Sequence, residues 1–140
     1  CVEHFPNNDL TIMAAAVADY RPISVESKKM KKSADSLHLE LEPTEDILAT
    51  MGRIKTSHQV LVGFALETDN EIENAKSKLK RKNLDYIVLN SLKDEGAGFG
   101  HETNKVTILP AIGEIKSTVL KSKRALSVDI IDLVTSTLKK

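Results

Sequence analysis

Leu10-Thr11-Ile12-Met13-Ala14-Ala15-Ala16-Val17-Ala18-Asp19-Tyr20-Arg21-Pro22 decides how the rest of the chain is read. Apolar residues run from Leu10 to Val17, shrink to alanines, and then meet a carboxylate, a phenol and a guanidinium. Such a run predicts a strand dry on both faces, as in a parallel sheet. Small side chains at its end let a ligand approach the backbone. Polar groups past the C-terminal end of a buried strand lie where open α/β sheets bind ligands. The same stretch also reads as an ordinary core strand followed by a charged loop, and these residues alone do not choose.

Working outward, Val60–Ala65 and Leu84–Leu89 repeat the pattern, ending at Glu67-Thr68 and Asn90. Three strand ends of this kind are expected along one sheet edge. Helices are predicted from Thr44, as N-cap, with Ile47, Leu48, Met51 and Ile54 on one face, over about 71–82, and over about 122–138. Leu37–Glu42 alternates strictly and predicts a half-exposed strand. Lys105–Leu109 and Glu114–Val119, separated by Pro110 and Gly113, predict a hairpin. Residues 1–6 resemble a helix end, 22–36 a mobile lysine-rich loop, and 91–104 a loop carrying Gly96, Gly98 and Gly100. Strands alternating with helices define an α/β fold: a Rossmann-like, mainly parallel sheet with flanking helices and an antiparallel strand extension.

The 140 residues fit one domain with a single substantial core. Hydrophobic content of 41% and charged content of 29% suit a globular chain, and the net charge of zero gives no bulk attraction to nucleic acid or membrane. No apolar run approaches the roughly 20 residues that span a bilayer, and no signal peptide is visible. One cysteine, Cys1, excludes an internal disulfide and a multi-cysteine metal site, and fits a cytoplasmic setting. His4, His38, His58 and His101 lack metal-ligand spacing. No Walker phosphate loop, nucleophile elbow or dinucleotide glycine fingerprint occurs. The chain opens without methionine, in mid-pattern, and is expected to be a piece of a longer protein.

Lys78 and Lys82, four apart, share a helix face. A di- or triphosphate between them would relieve their repulsion, although spacing alone favours a solvated face with Glu71 and Glu73 as counter-charges. Lys29-Met30-Lys31-Lys32 reads as a surface loop or as a lid bringing positive charge to an anionic substrate. Glu45 and Asp46 read as partners of a helix N-terminus rather than catalytic acids.

Taken in order, Ala14-Ala15-Ala16-Val17-Ala18-Asp19-Tyr20-Arg21, Lys29-Met30-Lys31-Lys32, Asp46-Ile47-Leu48, Val62-Gly63-Phe64-Ala65-Leu66-Glu67-Thr68, Lys82-Asn83-Leu84-Asp85 and Gly98-Phe99-Gly100 followed by Asn104 resemble the phosphopantothenoylcysteine synthetase domain of the bifunctional coenzyme A biosynthesis flavoproteins. The resemblance covers essentially the whole chain. It implies an acid–amino-acid ligase joining 4'-phosphopantothenate to cysteine with CTP, Mg2+ accompanying the phosphates, through an acyl-cytidylate. It further implies that Met13, Ala14, Ala15, Asp19, Phe64 and the helix start Glu45-Asp46-Ile47-Leu48 contact the nucleotide. Glu45 stands where the family often has proline. Lys78 and Lys82 take the triphosphate, and Lys29 is the catalytic lysine of a flap. No residue is implied as a metal ligand, and FMN belongs only to a separate decarboxylase domain. The family domain begins with a further βαβ portion holding a glycine-rich segment and an asparagine, and nothing before Leu10 matches it. Little ligase activity is therefore expected of the chain alone, and a homodimer is expected from the family and from the exposed strand edges. A non-catalytic nucleotide-binding module is the alternative, which the flap lysine argues against.

Overall fold

The computed structural model describes residues 1–25, 27–30, 36–91 and 100–138. The chain divides into two compact units, Cys1–Ala14 with Ile47–Lys140, and Ala15–Asp46.

The first unit is built on a five-stranded sheet. Its strands are β1 (Leu10–Met13), β4 (Val60–Glu67), β5 (Tyr86–Ser91), β7 (Val106–Pro110) and β8 (Lys116–Ser117), in the order β1-β4-β5-β7-β8. β1 pairs β4, and β4 pairs β5, in parallel; β7 and β8 continue the sheet antiparallel. This is the mainly parallel sheet with an antiparallel extension that the strand and helix pattern implied. A small ribbon pairs β6 (Thr103–Asn104) with β9 (Lys121–Ser122). The helices are α1 (Ile47–Ile54), α2 (Glu71–Arg81) and α3 (Lys123–Thr135). The second unit is a ribbon in which β2 (Tyr20–Pro22) pairs β3 (Leu41–Pro43).

Alternation along the buried strands sends side chains to two cores. Leu61, Ala65, Ile87 and Leu89 pack with Met51 of α1 and Ala75 of α2. Val60, Val62, Tyr86 and Val88 pack with Leu126, Ile130 and Val134 of α3. Ser122 caps α3, its Oγ accepting the Ala125 N–H at 3.2 Å. Gly63 sits where a Cβ would come within 2.8 Å of Leu48 Cδ2 and Leu84 Cδ1, so its lack of side chain lets α1 close on the sheet.

Several boundaries differ from the sequence expectation. β1 ends at Met13, not Val17: its pairing stops at Met13 opposite Gly63, and Ala14–Ala18 are exposed. The 37–42 strand is reduced to β3, and Leu37 and Leu39 are exposed. α1 starts at Ile47, because Thr44 spends its hydroxyl on Ala18 O and its N–H on Asp19 O instead of capping a helix. Ile54 faces outward, 47% exposed. β5 runs two residues later than expected, since Leu84 N–H closes the end of α2 on Leu79 O. The second hairpin strand shortens to β8, and the N-terminal helix end is a single 3-10 turn, Phe5–Asn7. Of the expected 22–36 loop, Pro22 belongs to β2; Glu26 and residues 31–35 lie outside the described residues. Of the 91–104 loop, Ser91 ends β5 and Thr103–Asn104 form β6, while residues 92–99, with Gly96, Gly98 and Phe99, lie outside the described residues.

Candidate functional site

The three parallel strands end along one edge of the first unit, and most of its predicted site residues gather there. Met13 closes β1 directly opposite Gly63, with Phe64 the next residue of β4. Met13, Ile47 and Leu48 are half-buried against the core shared with α1 and α2. Ala14 follows Met13 and is exposed. Phe64 is half-buried on the opposite face of the sheet, in the core under α3. Met13 and Leu48 thus share one side of the edge, and Phe64 occupies the other.

Lys78 lies in the last turn of α2, but its ammonium stands 2.6 Å from Glu67 Oε1 at the end of β4. The Glu67 side chain is 13% exposed and that of Lys78 37%. Glu67 Oε2 accepts the Asn74 amide at 3.3 Å. The counter-charge of Lys78 is therefore Glu67 and not Glu71 or Glu73. Glu73 pairs Lys76 at 3.0 Å, and Glu71 accepts the Ser91 hydroxyl at 3.1 Å. Lys82 closes α2, its N–H on Lys78 O at 3.0 Å, and is half-buried. Its carbonyl lies where a Cβ on Gly52 would be, 1.9 Å away, and the Asn83 amide donates to Gly52 O at 2.8 Å. The close backbone approach of Gly52 to Lys82 and the Asn83 side-chain hydrogen bond hold α1 against the end of α2.

Sequence reasoning missed the anchors of this edge. Glu67 was visible as a strand-end carboxylate; its partner Asn74 was not, because only the helical offset of four between Asn74 and Lys78 places both toward β4. Asn90 does not end β5. It lies inside the strand, its Oδ1 accepting the Asn104 amide at 3.0 Å, while Lys105 N–H donates to Asn104 Oδ1 at 2.9 Å.

In the second unit, Thr44 binds Ala18 and Asp19 through their carbonyls, the latter at 2.9 Å, which sets Asp19 beside the residue preceding Glu45 and Asp46. Asp19 lies six residues past the end of β1, and Tyr20 and Arg21 begin β2. Arg21 pairs Glu42 at 2.8 Å across the ribbon. Ala15, Asp19, Lys29, Glu45 and Asp46 are all exposed. Lys31 and Lys32 of the lysine cluster lie outside the described residues. Among the described residues no group of three or more His, Cys, Asp or Glu could hold a metal ion, and no helix is long and apolar enough to cross a membrane.

An open α/β sheet whose polar groups converge at the C-terminal ends of parallel strands defines the class: a Rossmann-like domain with its candidate site at that edge. Residues 1–138 match the DNA/pantothenate metabolism flavoprotein C-terminal domain, and the chain belongs to that family. It is 56% identical over 130 residues to a cysteine/cysteine sulfinic acid decarboxylase of an unknown prokaryotic organism, covering 93% of this chain and 36% of that protein. It is 45% identical over 124 residues to the coenzyme A biosynthesis bifunctional protein CoaBC of Bacillus subtilis (strain 168), covering 89% of this chain and 30% of that protein. The crystal structure of the C-terminal domain of a coenzyme A biosynthesis bifunctional protein CoaBC superimposes with a TM-score of 0.77 at 36% identity, over 98% of this chain and 58% of that one. The chain spans about a third of the length of the curated relatives it matches.

Proposed function

We propose that this chain supplies the nucleotide-binding and flap portion of a CTP-dependent phosphopantothenate–cysteine ligase in coenzyme A biosynthesis. The observation that carries the reading is the Lys78 ammonium, held at the C-terminal edge of the parallel strands in a chain of this family. An ammonium there is matched to a phosphate chain, as a point charge with several donors.

The chemistry activates a poor acceptor. The 4'-phosphopantothenate carboxylate attacks the α-phosphorus of CTP and pyrophosphate leaves, giving an acyl-cytidylate. The cysteine amine then attacks the acyl carbon, CMP departs, and the amine proton is lost to solvent or base. Lys78 and Lys82 carry the triphosphate. Met13, Ala14 and Ala15 offer backbone close to the nucleotide, with Ile47 and Leu48 against it and Phe64 beside it. Asp19 gives a polar contact, and Glu45 and Asp46 contribute through their backbone. Lys29 stabilises the charge that develops as the acyl-cytidylate is consumed. Mg2+ arrives as part of the nucleotide substrate, on its phosphates. FMN chemistry belongs to a decarboxylase domain outside these residues. The setting is cytoplasmic and the assembly a homodimer.

The decarboxylase name of one relative describes a protein of which this chain covers 36%. Calorimetric titration of the purified chain with CTP, ATP and CMP tests the reading: CTP binds more tightly than ATP, and Lys78→Met weakens CTP at least tenfold, about the value of one charge-assisted contact. Nucleotide binding without preference for CTP, or release of CO2 from cysteine sulfinic acid by the chain, overturns it.

A further inference from the structure

Glu67 occupies the last position of β4, opposite Ser91 of β5, and the resemblance assigns it no role. Its Oε2 is fixed by Asn74, whose amide nitrogen also donates to Asp69 O at 2.8 Å. Its Oε1 is buried and has no aligned hydrogen-bond donor among the described residues; the Lys78 ammonium meets it at 2.6 Å as a charge. A helical side chain leans toward the N-terminus of its helix. Here that direction carries Lys78 from the last turn of α2 back toward the strand ends, where Glu67 receives it.

We propose that Glu67 is a positioning residue for phosphate recognition: it anchors the Lys78 ammonium at the sheet edge, ready for the phosphate chain of the nucleotide. The inference rests on the nucleotide site proposed above. Two effects oppose each other. A carboxylate repels phosphate, whereas anchoring removes rotamer freedom that an unrestrained lysine would lose on binding. A phosphate oxygen approaching the solvent side of Nζ sits about 3 Å from the ammonium and about 5 Å or more from Oε1, and water at this exposed edge screens the repulsion from the more distant carboxylate below the entropy that the anchor saves. Anchoring therefore wins, and the 37% exposure of Lys78 leaves its other N–H groups accessible.

The test is calorimetry on the 140-residue chain with two probes, CTP and inorganic triphosphate, well below the melting temperature. The proteins are the unsubstituted chain, Glu67→Ala, Glu67→Gln, Lys78→Met and the Glu67→Ala/Lys78→Met double variant. Glu67→Ala weakens both probes about tenfold, the lysine's rotamer entropy less the carboxylate's repulsion. Glu67→Gln weakens both probes nearly as much as Glu67→Ala, because the neutral amide removes the charge that holds the ammonium. In the Lys78→Met background, Glu67→Ala changes nothing further. Unchanged affinity in Glu67→Ala, even with a lowered melting temperature, overturns the inference, as does an equal loss with and without Lys78. Glu67-dependent triphosphate binding without CTP preference sinks the nucleotide reading and leaves the anchor standing. Failure to bind either probe removes both.

Discussion

Gly52 and Gly63 both leave room for a neighbour, but the neighbours differ in kind. A Cβ on Gly52 would meet the Lys82 backbone carbonyl at 1.9 Å, and backbone cannot step aside without moving the end of α2. A Cβ on Gly63 would meet the ends of Leu48 and Leu84 at 2.8 Å, which rotate more readily. Alanine improves helix propensity at Gly52 by about 1 kcal/mol, while overpacking costs up to about 3 kcal/mol. Gly52→Ala is thus expected to destabilise by about 2 kcal/mol and Gly63→Ala by about 1 kcal/mol. Urea denaturation midpoints at unchanged m-value check both, and equal losses would contradict the distinction. Gly52→Ala also displaces Lys82, so its nucleotide affinity falls more than that of Gly63→Ala.

At the scale of elements, α3 packs on the second core, and its first turn is capped by the Ser122 hydroxyl while Lys123 N–H donates to Glu102 O. Ser122→Ala is expected to cost about 1 kcal/mol, read as a lower thermal midpoint, with Ser122→Asp keeping most of the stability. Elements with strong apolar patterning were legible in sequence: β4, α2, α3 and the β7–β8 pairing lie within a few residues of expectation. What could not be read was set by partners remote in sequence. Ala14–Val17 counts as apolar, yet among the described residues the pairing of β1 with β4 stops at Met13, and small side chains give little reason to stay buried. Thr44 carries a capping signature, but Ala18 and Asp19 claim its donors. Asn90 and Ser91 look like a strand end, and they remain in β5 because Asn104 and Glu71 satisfy their side chains. The edge carrying Lys78 was foreseeable from strand order; the identity of its counter-ion was not, since helix spacing proposes Glu71 and Glu73 and only the sheet supplies Glu67.

The two units have unequal means of holding themselves. The first contains every buried hydrophobic residue found among the described positions, while the second exposes Val17, Tyr20, Ile23, Leu37, Leu39 and Leu41. Amides of β4 and β5 should open only with the whole first unit, whereas those of the β2–β3 ribbon, such as Ile23 bonded to Glu40 O, should exchange through local opening. Native-state hydrogen exchange of the chain checks this: comparable protection of Ile23 and Val88 would refute it.

Gln59 has a consequence that reaches across the sheet. Its buried amide donates to Phe5 O and Asn8 O, at 2.8 and 2.9 Å, while its carbonyl oxygen accepts from both the N–H and the hydroxyl of Thr56. The chain entering β1 is thereby clasped to the chain entering β4 before either strand begins. Sliding β1 by one residue would tear that clasp and turn Met13 to the other face. Gln59 acts as a gauge block: a side chain at the floor of the sheet sets the alignment of Met13 with Gly63 at its rim.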